Sequence, residues 1–568
     1  MSSIYYLVLF FFLCAGSANA QYTRYTVQLK DKKGGAYSLS QPSAFLSARS
    51  IQRRTRQHIL IDSTDLPVSR IYLDSISNIN GVKIIFTSKW LNNVLVETTD
   101  SVAIEKIKSF PFVFHLTPVA LKGRQTGISK NIEGEKTAVA VAPIINSFRT
   151  FNNNLLQEDS INYGANYPQV HIHEGEYLHK LGYRGQGITI AILDAGFRNY
   201  KENPAFDSLR QNNQISGEYD FVHNETSVDE DDSHGANCFS IMAANIPGQM
   251  VGTAPQANYY LFKSEDVASE KPVEEEYWVV AAERADSAGV DMISSSLGYS
   301  NFDDPALNLV YAQRDGKTAP ITIAANMAVK KGMIVTISSG NSGTLNTDFK
   351  YVVCPADGDD VEAVGAVNTS GTIAPFSSGG PNGGGKLKPN IVSVGWNTVF
   401  VNIYGLVSTG SGTSYSNPNI AGLIACLWQA FSDFTNREIT DAVERSSDRY
   451  LHPDQRYGYG IPNMRIAYQL LEVKRKEKLN AILKKSWITA YPVPFRQSFN
   501  VYLKAPATGM ASIRIIDAGG KLVQLKTVQV QQDGYYTIYM APAISDSGIY
   551  YLQYSDGKNK AILQLVRL

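Results

Sequence analysis

Three short segments, far apart in the chain, hold the side-chain types that serine-based acyl transfer requires. Ile192-Leu193-Asp194-Ala195-Gly196 offers a carboxylate, Ser233-His234-Gly235-Ala236 an imidazole, and Gly412-Thr413-Ser414-Tyr415-Ser416 a hydroxyl. A serine hydroxyl is a weak nucleophile until a base takes its proton. An imidazole serves as that base when a carboxylate fixes its tautomer and stabilises the imidazolium. A fourth segment, Ser339-Gly340-Asn341-Ser342-Gly343, sets an amide on a glycine-flanked turn, where its N–H can face a developing oxyanion. Singly these signals are weak, because an Asp at a strand end is commonly a cap and a Ser-rich stretch is commonly a loop. The set, in the order Asp, His, Asn, Ser, carries the weight.

The elements that must position these groups read as an alternation of buried strands and helices over residues 160–472. Residues 187–194 are a nearly continuous apolar run ending in Asp194. Residues 290–294 form a strand leading into Ser295, Ser296, Leu297 and Gly298, and residues 333–337 form another leading to Asn341. Residues 277–288 and 324–331 have helical spacing. Apolar strands alternating with helices imply α/β architecture, a parallel sheet covered on both faces. Ligands bind such sheets at the carboxyl ends of the strands, where Asp194, Ser295 to Gly298 and Asn341 all fall. His234 opens the apolar segment of Cys238, Ile241 and Met242. Ser414 precedes the helical stripe Ile420, Leu423, Ile424, Leu427, Trp428 and Phe431. Pro418 is expected in the first turn of that helix, which puts Ser414 at the helix N-terminus, where free N–H groups favour negative charge.

The flanks differ in texture. Residues 4–13 are almost wholly apolar and Ala18-Asn19-Ala20 has a small-x-small pattern, so residues 1–20 read as a secretory signal with Gln21 as the new N-terminus. The apolar run is too short for the ~20 residues of a membrane span, and no later segment is apolar enough. Residues 21–120 read as β-α-β-β-α-β, a ferredoxin-like α+β unit. Residues 121–159 are a polar linker. Residues 473–485 read as a charged helix or linker. Residues 486–568 carry short strands near 500–503, 512–516, 535–539, 549–554 and 562–566, with turn signals between them, a small β-sandwich.

Composition narrows the function classes. Lys plus Arg equals Asp plus Glu at 52 each over 568 residues, which removes the electrostatic case for a nucleic-acid partner. The dense basic cluster Arg49, Arg53, Arg54 and Arg56 is expected to be a solvated helix face. Once Cys14 leaves with the signal, Cys238, Cys354 and Cys426 remain. That odd number allows at most one internal disulfide and rules out a disulfide scaffold. His171, His173 and His179 have no spaced carboxylate or thiolate to complete a zinc pattern. Gly182, Gly185 and Gly187 precede their strand instead of following it, so the dinucleotide fingerprint fails. No G-x-S-x-G elbow is present. Asp229-Glu230-Asp231-Asp232 beside His234 reads as a structural calcium site or a solvated loop; its ligands have no readable spacing, and metal ligands stay unknown.

Taken together, the triad segments, Tyr219-Asp220-Phe221-Val222, Val251-Gly252-Thr253-Ala254-Pro255, Ile293 through Gly298, Ser339-Gly340-Asn341-Ser342-Gly343, Pro375-Phe376-Ser377-Ser378 and the run from Tyr457 to Pro462 resemble the subtilisin-like serine proteases, the subtilases. The resemblance extends from about residue 163 to residue 466 and follows the family's Asp, His, Ser order. It implies a secreted serine endopeptidase with Ser414 as nucleophile, His234 as general base and Asp194 as orienting carboxylate. Asn341 is implied as the oxyanion donor with the Ser414 N–H, and Ser295, Ser296, Leu297 and Gly298 as the strand that binds extended peptide. The chemistry so implied requires no cofactor. Ala195, Ala236 and Tyr415-Ser416 depart from the family pattern. The 21–120 unit resembles an inhibitory propeptide, apart from its Arg-rich stretch. The tail, with Tyr491-Pro492-Val493-Pro494-Phe495, Asp517-Ala518-Gly519-Gly520-Lys521 and Ser547-Gly548-Ile549-Tyr550-Tyr551, resembles sorting domains of the type IX secretion pathway of Bacteroidetes-like bacteria. The partners implied are protein or peptide substrates, the chain's own propeptide and the secretion machinery. The location implied is the cell surface or medium, reached via the periplasm. The alternative reading is a catalytically silent surface-binding protein on the same fold.

Overall fold

The computed structural model describes residues 22–121, 161–483, 486–495, 498–544 and 546–568. The signal reading at 1–20 and the linker reading at 121–159, Leu121 apart, lie outside those residues.

The centre of the molecule is a seven-stranded, wholly parallel sheet. From one edge to the other its strands are Ile391–Val394, Glu362–Val367, Ile334–Ser338, Met292–Ser295, Thr189–Asp194, Asn258–Lys263 and Ile215–Asp220. The inner strands are buried on both faces, hence their unbroken apolar sequence. One face packs on the helices His234–Ala243 and Thr413–Ala430, through Ile190, Ile192, Phe239, Leu261, Ile420 and Leu427. The other packs on Val273–Ala288 and Pro320–Lys330, through Leu193, Ile293, Val335, Trp278 and Ala325.

The N-terminal unit is a four-stranded antiparallel sheet in the order Lys83–Ser88, Asn93–Glu97, Tyr22–Leu29, Val113–Leu121. With the helices Arg70–Ser77 and Ser101–Lys108 it makes the expected split βαβ arrangement. Trp90, Leu95, Val119 and Ala120 pack into the cluster around Tyr277 and Trp278, so this sheet sits on the helix Val273–Ala288.

The basic cluster is not a solvated face. It lies on a further helix, Ala48–Arg56, between the first strand and Arg70–Ser77, and Arg53 and Arg54 are 2% and 1% exposed. Both guanidinium groups reach Asp286 of the helix Val273–Ala288, and Arg54 also donates to Asp65 at 2.7 Å. Composition alone could not reveal this, because Asp286, the countercharge the two share, lies more than 230 residues away in sequence.

At the other end, residues 473–482 continue the helix Met464–Ile482. Beyond it stand two sheets. One is Ile488–Tyr491, Phe499–Lys504 and Tyr535–Met540; the other is Leu522–Val530, Gly509–Asp517, Gly548–Ser555 and Lys560–Arg567. Val501, Leu503, Ile513, Ile515, Leu552 and Leu565 fill the space between them. Leu479 is buried and the Tyr535 hydroxyl donates to Asn480, so this sandwich rests on the end of that helix. Among the described residues no helix is long and apolar enough to cross a membrane.

Candidate active site

Asp194 is the last residue of the strand Thr189–Asp194 and is fully buried. Its Oδ1 accepts from the Ala195 N–H at 2.8 Å and stands 2.6 Å from His234 Nδ1. Asp194 Oδ2 has no hydrogen-bond partner among the described residues. His234 opens its helix, and Asp232 Oδ1 accepts the His234 backbone N–H at 2.7 Å. Gly235 follows because helix and strand end meet there: a Cβ on it would lie 2.9 Å from the Asp194 Cβ and closer still to the Gly196 carbonyl. Burial, the largest single influence, depresses the His234 pKa, but the charge and hydrogen bond of Asp194 together with the neighbouring Cys238 outweigh it and raise the imidazole well above its ordinary value.

Ser414 is the second residue of the helix Thr413–Ala430 and is 6% exposed. Pro418 lies in the second turn of this helix, past the first turn expected from sequence. Having no N–H, it leaves the Ser414 carbonyl without its i+4 donor. Ser296 Oγ, at 2.8 Å, and Cys238 Sγ, at 3.3 Å, donate to that carbonyl instead. The Ser414 hydroxyl donates to the Ser296 carbonyl at 3.3 Å, and among the described residues no hydrogen bond joins it to His234. Asn417 Nδ2 donates to the Ser295 carbonyl at 3.0 Å, a further stitch between the helix and the strand end.

Asn341 follows the strand Ile334–Ser338. Its amide oxygen accepts from Thr413 N at 2.8 Å and Thr413 Oγ1 at 2.9 Å, which turns the amide's nitrogen end away from Thr413. A Cβ built on Gly412 would lie 3.7 Å from Asn341 Nδ2 and 3.8 Å from Ser414 N, so both donors border the Gly412 position. Ser295 Oγ is committed inward, accepting from Trp278 Nε1 at 3.0 Å and donating to the Leu193 carbonyl at 3.2 Å. Leu297 is buried, and a Cβ on Gly298 would collide with Val353. With these side chains occupied, what residues 296–298 can present to an extended peptide is backbone.

Sequence reading passed over Tyr415 as a contact of the site. Its ring is stacked on Phe400 at 5.1 Å and lies 6.2 Å from the His234 ring, tilted by 32°. Its departure from the family pattern was the available signal.

Much of the acidic run is spent on protein contacts, although Asp229 Oδ1 and Glu230 Oε1 are buried with no hydrogen-bond partner among the described residues. Asp231 pairs with the buried Lys263, which also meets Asp220 at 2.9 Å; Glu230 accepts from Ser227 at 2.6 Å; Asp232 caps His234. Among the described residues the groups near enough to share an ion are Asp194 with His234 and Cys238, Asp220 with His223 and Glu225, and Glu265 with Glu270 and Glu274. None includes residues 229–232. His173 and His179 are pushed down to about 4 chiefly by burial and are held by Pro462 and Ser393, and by Tyr163 and Thr253, respectively. The three thiols are buried and unpaired with one another.

A buried carboxylate–imidazole pair and a serine at a helix N-terminus, all at the carboxyl end of a parallel sheet, are the groups that serine-based acyl transfer needs. Residues 185–460 match the subtilase family, residues 24–134 the peptidase S8 propeptide domain of Bacteroidota, and residues 489–567 the secretion system C-terminal sorting domain. The chain carries a subtilase-family domain over residues 185–460, a little under half its length. It is similar to serine protease AprX of Bacillus subtilis, at 28% identity over 309 residues, 49% of this chain and 65% of that protein. It is also similar to subtilisin E of the same organism, at 29% over 295 residues, 51% of this chain and 68% of that protein. The sorting domain marks the protein as secreted or held at the cell surface.

Proposed function

We propose that the chain is a secreted endopeptidase that cleaves peptide bonds through an acyl-enzyme on Ser414. The observation that carries this reading is the 2.6 Å contact between His234 Nδ1 and Asp194 Oδ1, buried beside the N-terminus of the helix that bears Ser414. Ser414 Oγ, rotated away from the Ser296 carbonyl, attacks the scissile carbonyl and gives its proton to His234 Nε2. Asp194 holds the Nδ1–H tautomer and stabilises the imidazolium. Asn341 Nδ2 and the Ser414 N–H receive the oxyanion. The imidazolium then protonates the leaving amine, and water, activated by the same imidazole, releases the acyl group. These steps use no cofactor. Extended peptide pairs with the backbone of residues 296–298.

The N-terminal domain is the chain's own inhibitor, seated on the helix Val273–Ala288, and the tail is an address read by the type IX machinery. A fluorophosphonate probe should label the processed wild-type chain at Ser414 and leave Ser414→Ala unlabelled. Peptidase activity should fall roughly 10⁶-fold in that variant, the family's scale for loss of the nucleophile. Failure of the processed wild-type chain to label would favour a silent binding protein. Truncation after Ile482 should leave peptidase activity near wild type while trapping the chain in the periplasm of the native cell; normal export of the truncated chain would sink the sorting role.

A further inference from the structure

The sheet of the N-terminal domain covers one flank of the helix Val273–Ala288, but a second contact lies elsewhere. Helix Ala48–Arg56 docks where Val273–Ala288 and Pro320–Lys330 end and where the strands Thr189–Asp194, Met292–Ser295 and Ile334–Ser338 begin. Arg49 donates to the carbonyls of Gly289 and Gly187, both at 2.8 Å, and pairs with Asp291. Arg53 donates to the Val290 and Lys331 carbonyls and to Asp286. Gln57 donates to the Gly332 carbonyl at 2.7 Å and accepts from Asn436 N at 2.9 Å. Cations and amide donors thus meet carbonyls of the turns that follow the two helices and of the loop before the strand Thr189–Asp194, at the end where the helix dipoles place partial negative charge.

The peptidase surface leaves room for this helix. Gly289 and Gly332 both have positive φ, +87° and +93°, and a Cβ on either would meet the helix, at 2.6 Å from Arg49 Cβ and 2.8 Å from Gln57 Nε2. Asp286 is the hub: fully buried, it is faced by Arg53, Arg54 and Lys89, all from the N-terminal domain. Lys331 of the peptidase faces Asp65 at 2.9 Å and Asp62 at 3.1 Å in return. This contact sits at the amino ends of the strands and the triad at their carboxyl ends. Six residues of strand separate the two, about 20 Å at ~3.3 Å per residue.

We propose that helix Ala48–Arg56 is a second anchor of the propeptide, independent of the cleft, which keeps the severed propeptide on the peptidase after the chain between residues 121 and 161 is cut. Charges buried this way resist salt, and losing one partner leaves the others desolvated and unpaired.

The test does not depend on the proposed catalytic reading. The full chain carrying Ser414→Ala receives a recognition sequence for an added site-specific protease between residues 121 and 161, and an affinity tag at its C-terminus. After cutting, the N-terminal fragment should stay with the immobilised peptidase at both 0.15 M and ~1 M salt. Arg54→Met, or Asp286→Asn on the peptidase side, should speed its loss by roughly 10² or more, the scale for truncating one partner of a buried charge pair. Arg49→Ala, on a partly exposed side chain, supplies a milder variant that keeps the hub and should lose the fragment at an intermediate rate. Immediate loss of the wild-type fragment, stripping by salt, or wild-type retention in all three variants overturns the proposal.

Discussion

Pro418 stands four residues after Ser414 and withholds the N–H that the Ser414 carbonyl would otherwise accept, so the proposed nucleophile's own peptide is held from outside its helix. Ser296 and Cys238 supply the two donors, one from the strand-end segment assigned to substrate and one from the helix that carries His234. Three parts of the site therefore share one carbonyl. Ser296→Ala should cost about 1 kcal/mol, and the Ser296→Ala, Cys238→Ala pair more than the sum of the singles, because only the pair leaves a buried acceptor unmade. Thermal unfolding in a Ser414→Ala background measures this without self-digestion. Strict additivity would show that the carbonyl is satisfied in some other way.

His234 sets the pH dependence. As the proposed base it must be neutral, and Asp194, with Cys238 beside it, raises its pKa well above the ordinary value despite burial. The acid limb of kcat/KM should therefore have its midpoint above ~6.5. The linkage to stability runs the opposite way. An imidazole whose folded pKa exceeds its unfolded one contributes stability that is fully present below ~6.5 and lost as pH rises through the folded value. Activity should rise across the same window in which this contribution fades. An acid limb centred at or below 6 would contradict the Asp194–His234 pairing as the controlling contact.

Tyr415 is placed to hold the other side of that imidazole. With Phe400 stacked behind it and His234 6.2 Å in front, it limits ring motion, and its π-face favours the imidazolium formed during acylation. Tyr415→Leu should lower kcat by about tenfold with little change in KM and move the acid limb downward. Tyr415→Phe should restore both kcat and the limb. If Leu and Phe behave alike, the ring has no part in positioning the base.

Much of this site was legible because its chemistry is local in sequence. Asp194, Asn341 and the strand leading to Ser295 each end an apolar run, and Ser414 opens a long helical stripe, so element type and strand polarity bring their segments to one end of the sheet. The tail strands Ile488–Tyr491 and Leu522–Val530 went unread, since half-exposed edge strands lack a clear apolar alternation. Arg53 and Arg54 looked solvated because a buried charge is recognisable only with its partner. The aromatic contact at Tyr415 was hidden for the same reason, with Phe400 on a separate hairpin.

The propeptide interface carries its own titration. Glu276, on the helix Val273–Ala288, is buried under the N-terminal sheet, where Asn93 Nδ2 lies 3.2 Å from Oε2 and Thr26 Oγ1 lies 3.3 Å from Oε1. Burial dominates over these hydrogen bonds and pushes its pKa up to about 7. Once the propeptide leaves, this face meets water and the carboxyl returns to its ordinary range near 4.3. The bound state thus holds the proton more tightly, so raising the pH favours release. Retention of the severed propeptide should weaken progressively from about pH 4.5 to 7 and level off above, by roughly 4 kcal/mol in all from this one group. Glu283, whose pKa burial also raises where it accepts from Ser88 and the Trp90 N–H, adds to the slope. Glu276→Gln, neutral throughout, should therefore reduce the pH dependence without abolishing it and should bind more tightly than wild type at pH 8. Fragment retention on the cut Ser414→Ala chain across pH 4.5 to 8 reads this directly, and a slope unchanged by Glu276→Gln would remove Glu276 from the release mechanism.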